Sequence, residues 1–185
     1  IGAYLGRNFS FKFGHGFLYP NVYTMLIGTP GARKSTAVKV AKKIITLAGY
    51  DRISADKSSK EKFLLDLAGE DTGDLTGDIL ESNLFGTNSS SEFAEMFIAC
   101  DEFNDFIGNG NIEFISMLGN LWDFEGNYVN RIKNGKSVSI NNPTVSILGG
   151  NTPTNFARAF PPEILGQGFF SRLILIHGES TGRKI

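Results

Sequence analysis

The stretch that decides the fold is "VYTMLI", residues 22–27, followed by "GTPGARKST", residues 28–36. The first is a short apolar run bounded by Asn21 and Gly28, which reads as a buried parallel strand. The second follows the phosphate-loop pattern G-x-x-x-x-G-K-[ST] with one residue out of place. Gly28 opens it and Lys34 and Ser35 close it, but Arg33 stands where the second glycine belongs. Beyond the loop, Ala37, Val40, Ala41, Ile44, Ile45 and Ala48 fall at helical spacing, and Gly49 ends the pattern. Strand, glycine turn and helix together are the context that such a loop requires. Its glycines let backbone N–H groups approach an anion, and the helix N-terminus adds its own.

The expected nucleotide-binding residues are therefore Gly28, Thr29, Pro30, Gly31, Ala32, Arg33, Lys34, Ser35 and Thr36. Lys34 is expected to reach the terminal phosphates of ATP, and the Ser35 hydroxyl to ligate Mg²⁺. The glycine before the lysine carries no side-chain chemistry. Arg33 fits there if its side chain points outward and its φ stays negative.

Residues 96–100, "MFIAC", read as a second buried strand, ending in Asp101 and Glu102. A nucleotide hydrolase needs a carboxylate at a strand end for Mg²⁺ and often a second acid to activate water. Asp101 suits the metal and Glu102 the general base, although two solvated acids after a strand are common. An Asp-Glu pair favours water as acceptor over the acceptors of small-molecule kinases, and no Arg-rich lid segment points to a kinase.

"TVSILGGN" is a third apolar strand, ending in the polar Asn151. In ATPases of the ASCE type such a residue positions the attacking water; the plain alternative is a turn before Pro153 or a helix cap. "FFSRLILIHGE" reads as a fourth buried strand with Arg172 at its mouth. Arg172 is either an arginine finger or a structural arginine paired to an acid. Cys100 sits within its strand and reads as packing.

Between these landmarks, "DRISA" (51–55) reads as a short strand, residues 58–68 and 112–124 as helices, and "TNSSSE" (87–92) as a loop. "YVNRIKNGKSVSI" (128–140) shows two β-like runs around Asn134–Gly135, a strong hairpin signal. It carries Arg131, Lys133 and Lys136 and no acid. Helices alternating with near-continuous apolar strands predict an α/β fold with a mostly parallel sheet, covered on both faces, and a β-hairpin inserted before the Asn151 strand.

The 185 residues suffice for one domain with a substantial core, and 16 Phe predict that it is rich in aromatic rings. One Cys and two His exclude a disulfide framework and argue against a Cys/His zinc site. With no apolar run long enough to span a membrane and no visible signal peptide, a cytoplasmic setting is expected. The net charge of −1 excludes a global basic footprint, so any nucleic acid must be held by a local patch. The start at Ile1 is what a fragment of a longer chain would show.

Taken together, "YPNVYTMLIGTPGARKST", "FIACDEF", "VSILGGNTP" and "GQGFFSRLILI" resemble the P-loop ATPase core of phage and plasmid primase–helicase-type proteins, related to superfamily 3 helicases. The likeness spans most of residues 19–177. It implies an AAA+-like sheet, a homo-oligomeric ring and often an attached primase domain. By this resemblance Lys34 and Ser35 belong to the phosphate loop, Asp101 and Glu102 to the acidic pair, Asn151 to the sensor and Arg172 to the finger. An arginine before the lysine occurs in that family. Superfamily 3 helicases insert a loop into the ring channel where the 129–140 hairpin lies, so Arg131, Lys133 and Lys136 are expected to hold single-stranded DNA. The implied activity is Mg²⁺-dependent ATP hydrolysis driving movement on DNA. An ATP-dependent switch or assembly factor that moves no nucleic acid is the alternative.

Overall fold

The structure is a computed structural model that describes residues 1–69, 94–131, 137–166 and 168–180. The segment "TNSSSE", Lys133, Asn134, Gly135 and Lys136 lie outside the described residues.

At the centre is a four-stranded, wholly parallel sheet flanked by helices. Its strands are β3 (Tyr23–Ile27), β4 (Glu95–Cys100), β7 (Thr144–Asn151) and β8 (Leu173–His177), in the spatial order β4-β7-β3-β8. The "DRISA" segment adds one parallel bridge, Ile53 to Phe97, on the outer side of β4 rather than a full strand. Two antiparallel ribbons stand apart from the sheet: β1 (Phe11–Phe13) with β2 (Gly16–Leu18), and β5 (Asn127–Arg131) with β6 (Ser137–Asn141).

Alternation along the strands sorts the apolar side chains to two faces. Tyr23, Met25, Met96, Ile98, Cys100, Val145 and Ile147 belong to the larger cluster, Phe97 and Ala99 to the smaller one. The larger cluster is closed by α3 (Lys60–Ala68), α4 (Phe103–Ile107), α5 (Ile112–Asn120) and α7 (Gly168–Ser171), and it is as aromatic as the composition predicts. Phe103 lies nearly parallel to Phe160, 6.1 Å between centroids, and 6.3 Å from Phe169. Each such ring, fully buried, contributes on the order of 2–3 kcal/mol through the area it removes from water. On the other face α2 (Lys34–Leu47) packs Val38 and Ile45 against Phe97 and Ala99, with Ala3 of α1 (Gly2–Leu5) beside them.

Three expectations are corrected here. The fourth strand is shorter than its apolar run: residues 168–171 are helical, and only Leu173–His177 pair with β3. Nor is β8 buried. It forms the edge of the sheet, and Ile174, Leu175 and Ile176 are each about half exposed. The helix predicted over 112–124 stops at Asn120, where Leu121 folds back as its C-cap.

Arg7 fastens the N-terminal segment to the amino edge of the sheet. Its Nε donates to Thr144 Oγ1 at 2.6 Å, its guanidinium also bonds the Phe124 carbonyl, and it lies 4.1 Å over the Tyr19 ring. Its backbone N–H donates to Glu95 Oε1 at 2.7 Å.

Candidate functional site at the carboxyl edge of the sheet

Because the four strands are parallel, their carboxyl ends share one edge, where open α/β sheets place ligands. β3 runs out at Ile27 and β7 at Asn151, and these two are paired in register. β4 ends at Cys100 opposite Gly149, which sets Asp101 level with Gly150. The loop 28–33 leaves this edge and enters α2 at Lys34.

Two glycines make the approach close. A side chain on Gly28 would strike the Gly178 carbonyl, and one on Gly150 would strike the Asp101 carbonyl. The position a Gly150 Cβ would take is 3.7 Å from the Lys34 Cβ. Lys34 and Asp101, 67 residues apart in the chain, thus flank a single glycine. The Gly28 amide donates to the Asn151 carbonyl at 3.2 Å, and the Gly178 amide to the Ile27 carbonyl at 2.9 Å. These bonds carry the sheet ladder on to the base of the loop.

Within the loop, the Ala32 amide closes a turn on the Thr29 carbonyl at 3.1 Å. Gly31 has φ 88° and Arg33 has φ 58°, ψ 24°. The expectation of a negative φ at Arg33 is wrong. Its side chain is exposed, as anticipated, but its backbone keeps the left-handed turn that a glycine would adopt there. A left-handed L-residue costs about 1–2 kcal/mol. The loop must nonetheless reverse there to present the first amides of α2, whose N–H groups have no partner within the helix. The Lys34 ammonium folds back over the loop, donating to the carbonyls of Gly28 at 2.7 Å and Thr29 at 3.2 Å. Ser35 and Thr36 are exposed in the first helical turn.

Asp101 and Glu102 are both half-buried, and Glu102 is the N-cap residue of α4 through its backbone. Its carboxylate does not cap: Oε2 is buried and without a partner. Asn151 is fully buried, and neither its Oδ1 nor its Nδ2 has a partner. The capping alternative for Asn151 does not hold. Thr152 caps α6 (Pro153–Ala159) instead, its hydroxyl accepting from the Asn155 amide at 3.2 Å. Buried polar groups are almost always satisfied. Unpartnered atoms on both Glu102 and Asn151, at the ends of neighbouring strands, therefore mark a place built for something further. Asn104, two residues beyond Glu102 in α4, is 4 % exposed and its Oδ1 is likewise unpartnered. The sequence reading missed it; a polar residue inside the apolar "FNDFI" was its only signal.

These residues fit a magnesium–nucleotide pair. Mg²⁺ is commonly held by one or two carboxylates together with substrate phosphates, and Asp101 and Ser35 offer a carboxylate and a hydroxyl. Among the described residues no group of three or more His, Cys, Asp or Glu could hold a metal by itself, so the phosphates would have to complete the coordination. Cys100 plays no part in this chemistry. It is 2 % exposed, and burial pushes its thiol up to about 12.

Arg172 and the basic ribbon lie elsewhere. Leu173 pairs with Tyr23 and His177 with Ile27, so Arg172 precedes the amino end of β8. About 13 Å of strand separates it from the loop edge. Its guanidinium is 3.6 Å from the Asp123 carboxylate. The β5–β6 ribbon is likewise rooted at the amino edge, where the Ala94 amide donates to Asn141 and the Thr144 amide to Ala94. Arg131, at the end of β5, is exposed. No helix among the described residues is long and apolar enough to cross a membrane. No family model matches the chain, and no curated protein matches it either.

Proposed function

We propose that the chain is a P-loop ATPase of the AAA+ type that hydrolyses ATP with Mg²⁺, and that it serves as the helicase part of a phage or plasmid replication protein. The observation that carries the nucleotide assignment is the meeting of Lys34 and Asp101 across Gly150, next to an Asn151 whose buried amide has no partner.

In this reading the amides of residues 31–36 cradle the phosphates, and Lys34 exchanges its two loop carbonyls for phosphate oxygens. Ser35 and Asp101 would hold the metal, which when bound would supply charge neutralisation at the phosphates. Glu102 takes the proton of the attacking water, and Asn151 orients that water through its amide. The helicase assignment draws on the family resemblance and on the acid-free hairpin at the edge opposite the nucleotide. Assembly into a ring would set the amino-edge Arg172 of one subunit toward the nucleotide of the next.

Lys34→Ala is expected to lose binding of a fluorescent ATP analogue. Glu102→Gln is expected to bind it normally and hydrolyse ATP about 10²-fold or more slowly, as for loss of a general base. Near wild-type turnover in Glu102→Gln removes that residue from the role. Turnover that single-stranded DNA does not stimulate would favour the switch or assembly ATPase over the motor.

A further inference from the structure

The β1–β2 ribbon, "FSFKFGHGF" (9–17), has no role in the site just described. It is a tight hairpin. Phe11 pairs with Leu18, Lys12 with Phe17 and Phe13 with Gly16, leaving Gly14–His15 as a two-residue loop. Gly14 has φ 60°, the left-handed value that such loops require at their first position. The hairpin therefore forms for a local reason, yet it buries almost nothing. Phe9 is 59 %, Phe11 69 %, Phe13 67 % and Phe17 46 % exposed. A two-stranded ribbon in water is marginal, and four rings held out on one mark a surface that meets something.

The rings are spaced and charged in a particular way. Phe11 and Phe13 are two apart on one strand, so they share a face at a separation of about 7 Å. That is roughly twice the 3.4 Å rise of a nucleic-acid strand, which leaves room for a base against each ring or one between them. Lys12 lies between them in sequence and faces the other side. The ribbon itself carries Lys12 and no acid, although the whole chain is slightly negative. The ribbon is also rooted beside the basic hairpin. Tyr19, one residue past β2, donates its hydroxyl to Glu125, two residues before β5.

We propose that the β1–β2 ribbon is a base-stacking platform for single-stranded nucleic acid, with Phe11 and Phe13 as the stacking rings. The proposal rests on the nucleic-acid part of the function proposed above. Phosphate contacts and stacked aromatic rings are the two components of sequence-tolerant single-strand binding; the β5–β6 hairpin would supply the first and this ribbon the second.

Leucine separates stacking from plain apolar docking, since it keeps the hydrophobic surface and loses the π-face. The full chain, wild type and Phe11→Leu/Phe13→Leu, is titrated against fluorescein-labelled oligothymidylate, oligouridylate and an abasic strand of equal length. Wild type is expected to prefer the base-bearing strands over the abasic one. The double variant is expected to lose about tenfold or more in affinity for them, to bind the abasic strand unchanged, and to be rescued by Phe11→Trp/Phe13→Trp. Equal binding by wild type and the leucine variant overturns the platform and leaves nucleic-acid binding standing. No binding of any strand by wild type overturns both. If sedimentation shows wild type and leucine variant self-associating alike while Phe11→Ser/Phe13→Ser does not, and strand affinity is the same in all three, the ribbon is an interface between copies and the platform is overturned.

Discussion

The amide of Gly28 donates to the carbonyl of Asn151, so the first residue of the loop and the last of β7 are fixed to each other. The backbone of Asn151 is thereby engaged while its side chain, fully buried, is not. An amide group in that condition opposes folding, since it has given up water and gained no partner.

Replacing it should separate stability from activity. Asn151→Leu, similar in volume, removes two unpartnered polar atoms and is expected to raise the stability of the ligand-free protein by about 1–3 kcal/mol. Turnover is expected to fall by about 10²-fold, as when one preorganised donor is lost from an active site. Thermal melting and ATPase rates on the same preparations check both. A variant that loses stability along with activity would show that Asn151 holds the sheet together and has no special place in the chemistry.

The strands at the centre were legible because their apolar runs are nearly continuous, as in "MFIAC" and "TVSILGG", and each is bounded by polar, glycine or proline residues. The glycine turn between β3 and α2 was legible because Gly28 ends the apolar run and the helical spacing begins just beyond Lys34. Properties that depend on strand order were not. β8 reads as buried from "LILI", but its place beside β3, about 150 residues earlier, leaves it at the edge. The same pairing puts Arg172 at the end of the sheet away from Lys34, which no local pattern reveals. The left-handed Arg33 was illegible for a simpler reason: side-chain identity argues for negative φ, and the geometry of the turn overrides it.

That override is measurable. Arg33→Ala and Arg33→Gly remove the same side chain and differ in what φ 58° costs them. Glycine is expected to exceed alanine in stability by up to about 1 kcal/mol, because relief of left-handed strain of about 1–2 kcal/mol outweighs the extra freedom of glycine in the unfolded chain. Arg33→Val, β-branched, should be the least stable of the three. Denaturant midpoints decide it. Alanine equal to or better than glycine would mean that the residue before Lys34 has a negative φ in solution.

Arg172 offers a test of assembly. With its guanidinium beside Asp123 at the amino edge, it lies at the end of the sheet away from Lys34 and the loop of its own chain. If it acts on the nucleotide of a neighbour, Arg172→Ala should lower turnover by about 10³-fold or more. Mixing Arg172→Ala with Lys34→Ala subunits should then restore part of the rate, since some interfaces pair an intact loop with an intact arginine. Mixtures that stay inactive, while each variant still assembles, would leave Arg172 with only its Asp123 pairing. Asp123→Asn adds a control, because a structural pairing predicts that it destabilises the protein as Arg172→Ala does.

The basic hairpin makes the last test, and its geometry makes that test clean. Its base is locked by reciprocal bonds: the Gly126 amide donates to Asn142 Oδ1 and the Asn142 amide to the Gly126 carbonyl, each at 2.8 Å. Val138 and Ile140 of β6 are buried in the main core and anchor the ribbon there. Changing Lys133 and Lys136 should therefore leave the fold and the nucleotide edge alone. Arg131, Lys133 and Lys136 stand among residues 128–140 with no acid to oppose them. Each phosphate neutralised on a single strand contributes about 0.7 to the slope of log affinity against log salt. The Lys133→Ala/Lys136→Ala double variant should flatten that slope by about one to one and a half per subunit and weaken binding across all sequences alike. Basal ATP hydrolysis should persist, because the hairpin is rooted at the edge opposite Lys34. Stimulation by DNA should disappear. An unchanged slope and affinity would show that the hairpin touches no phosphate, and would turn the functional reading toward an ATPase that works as a switch.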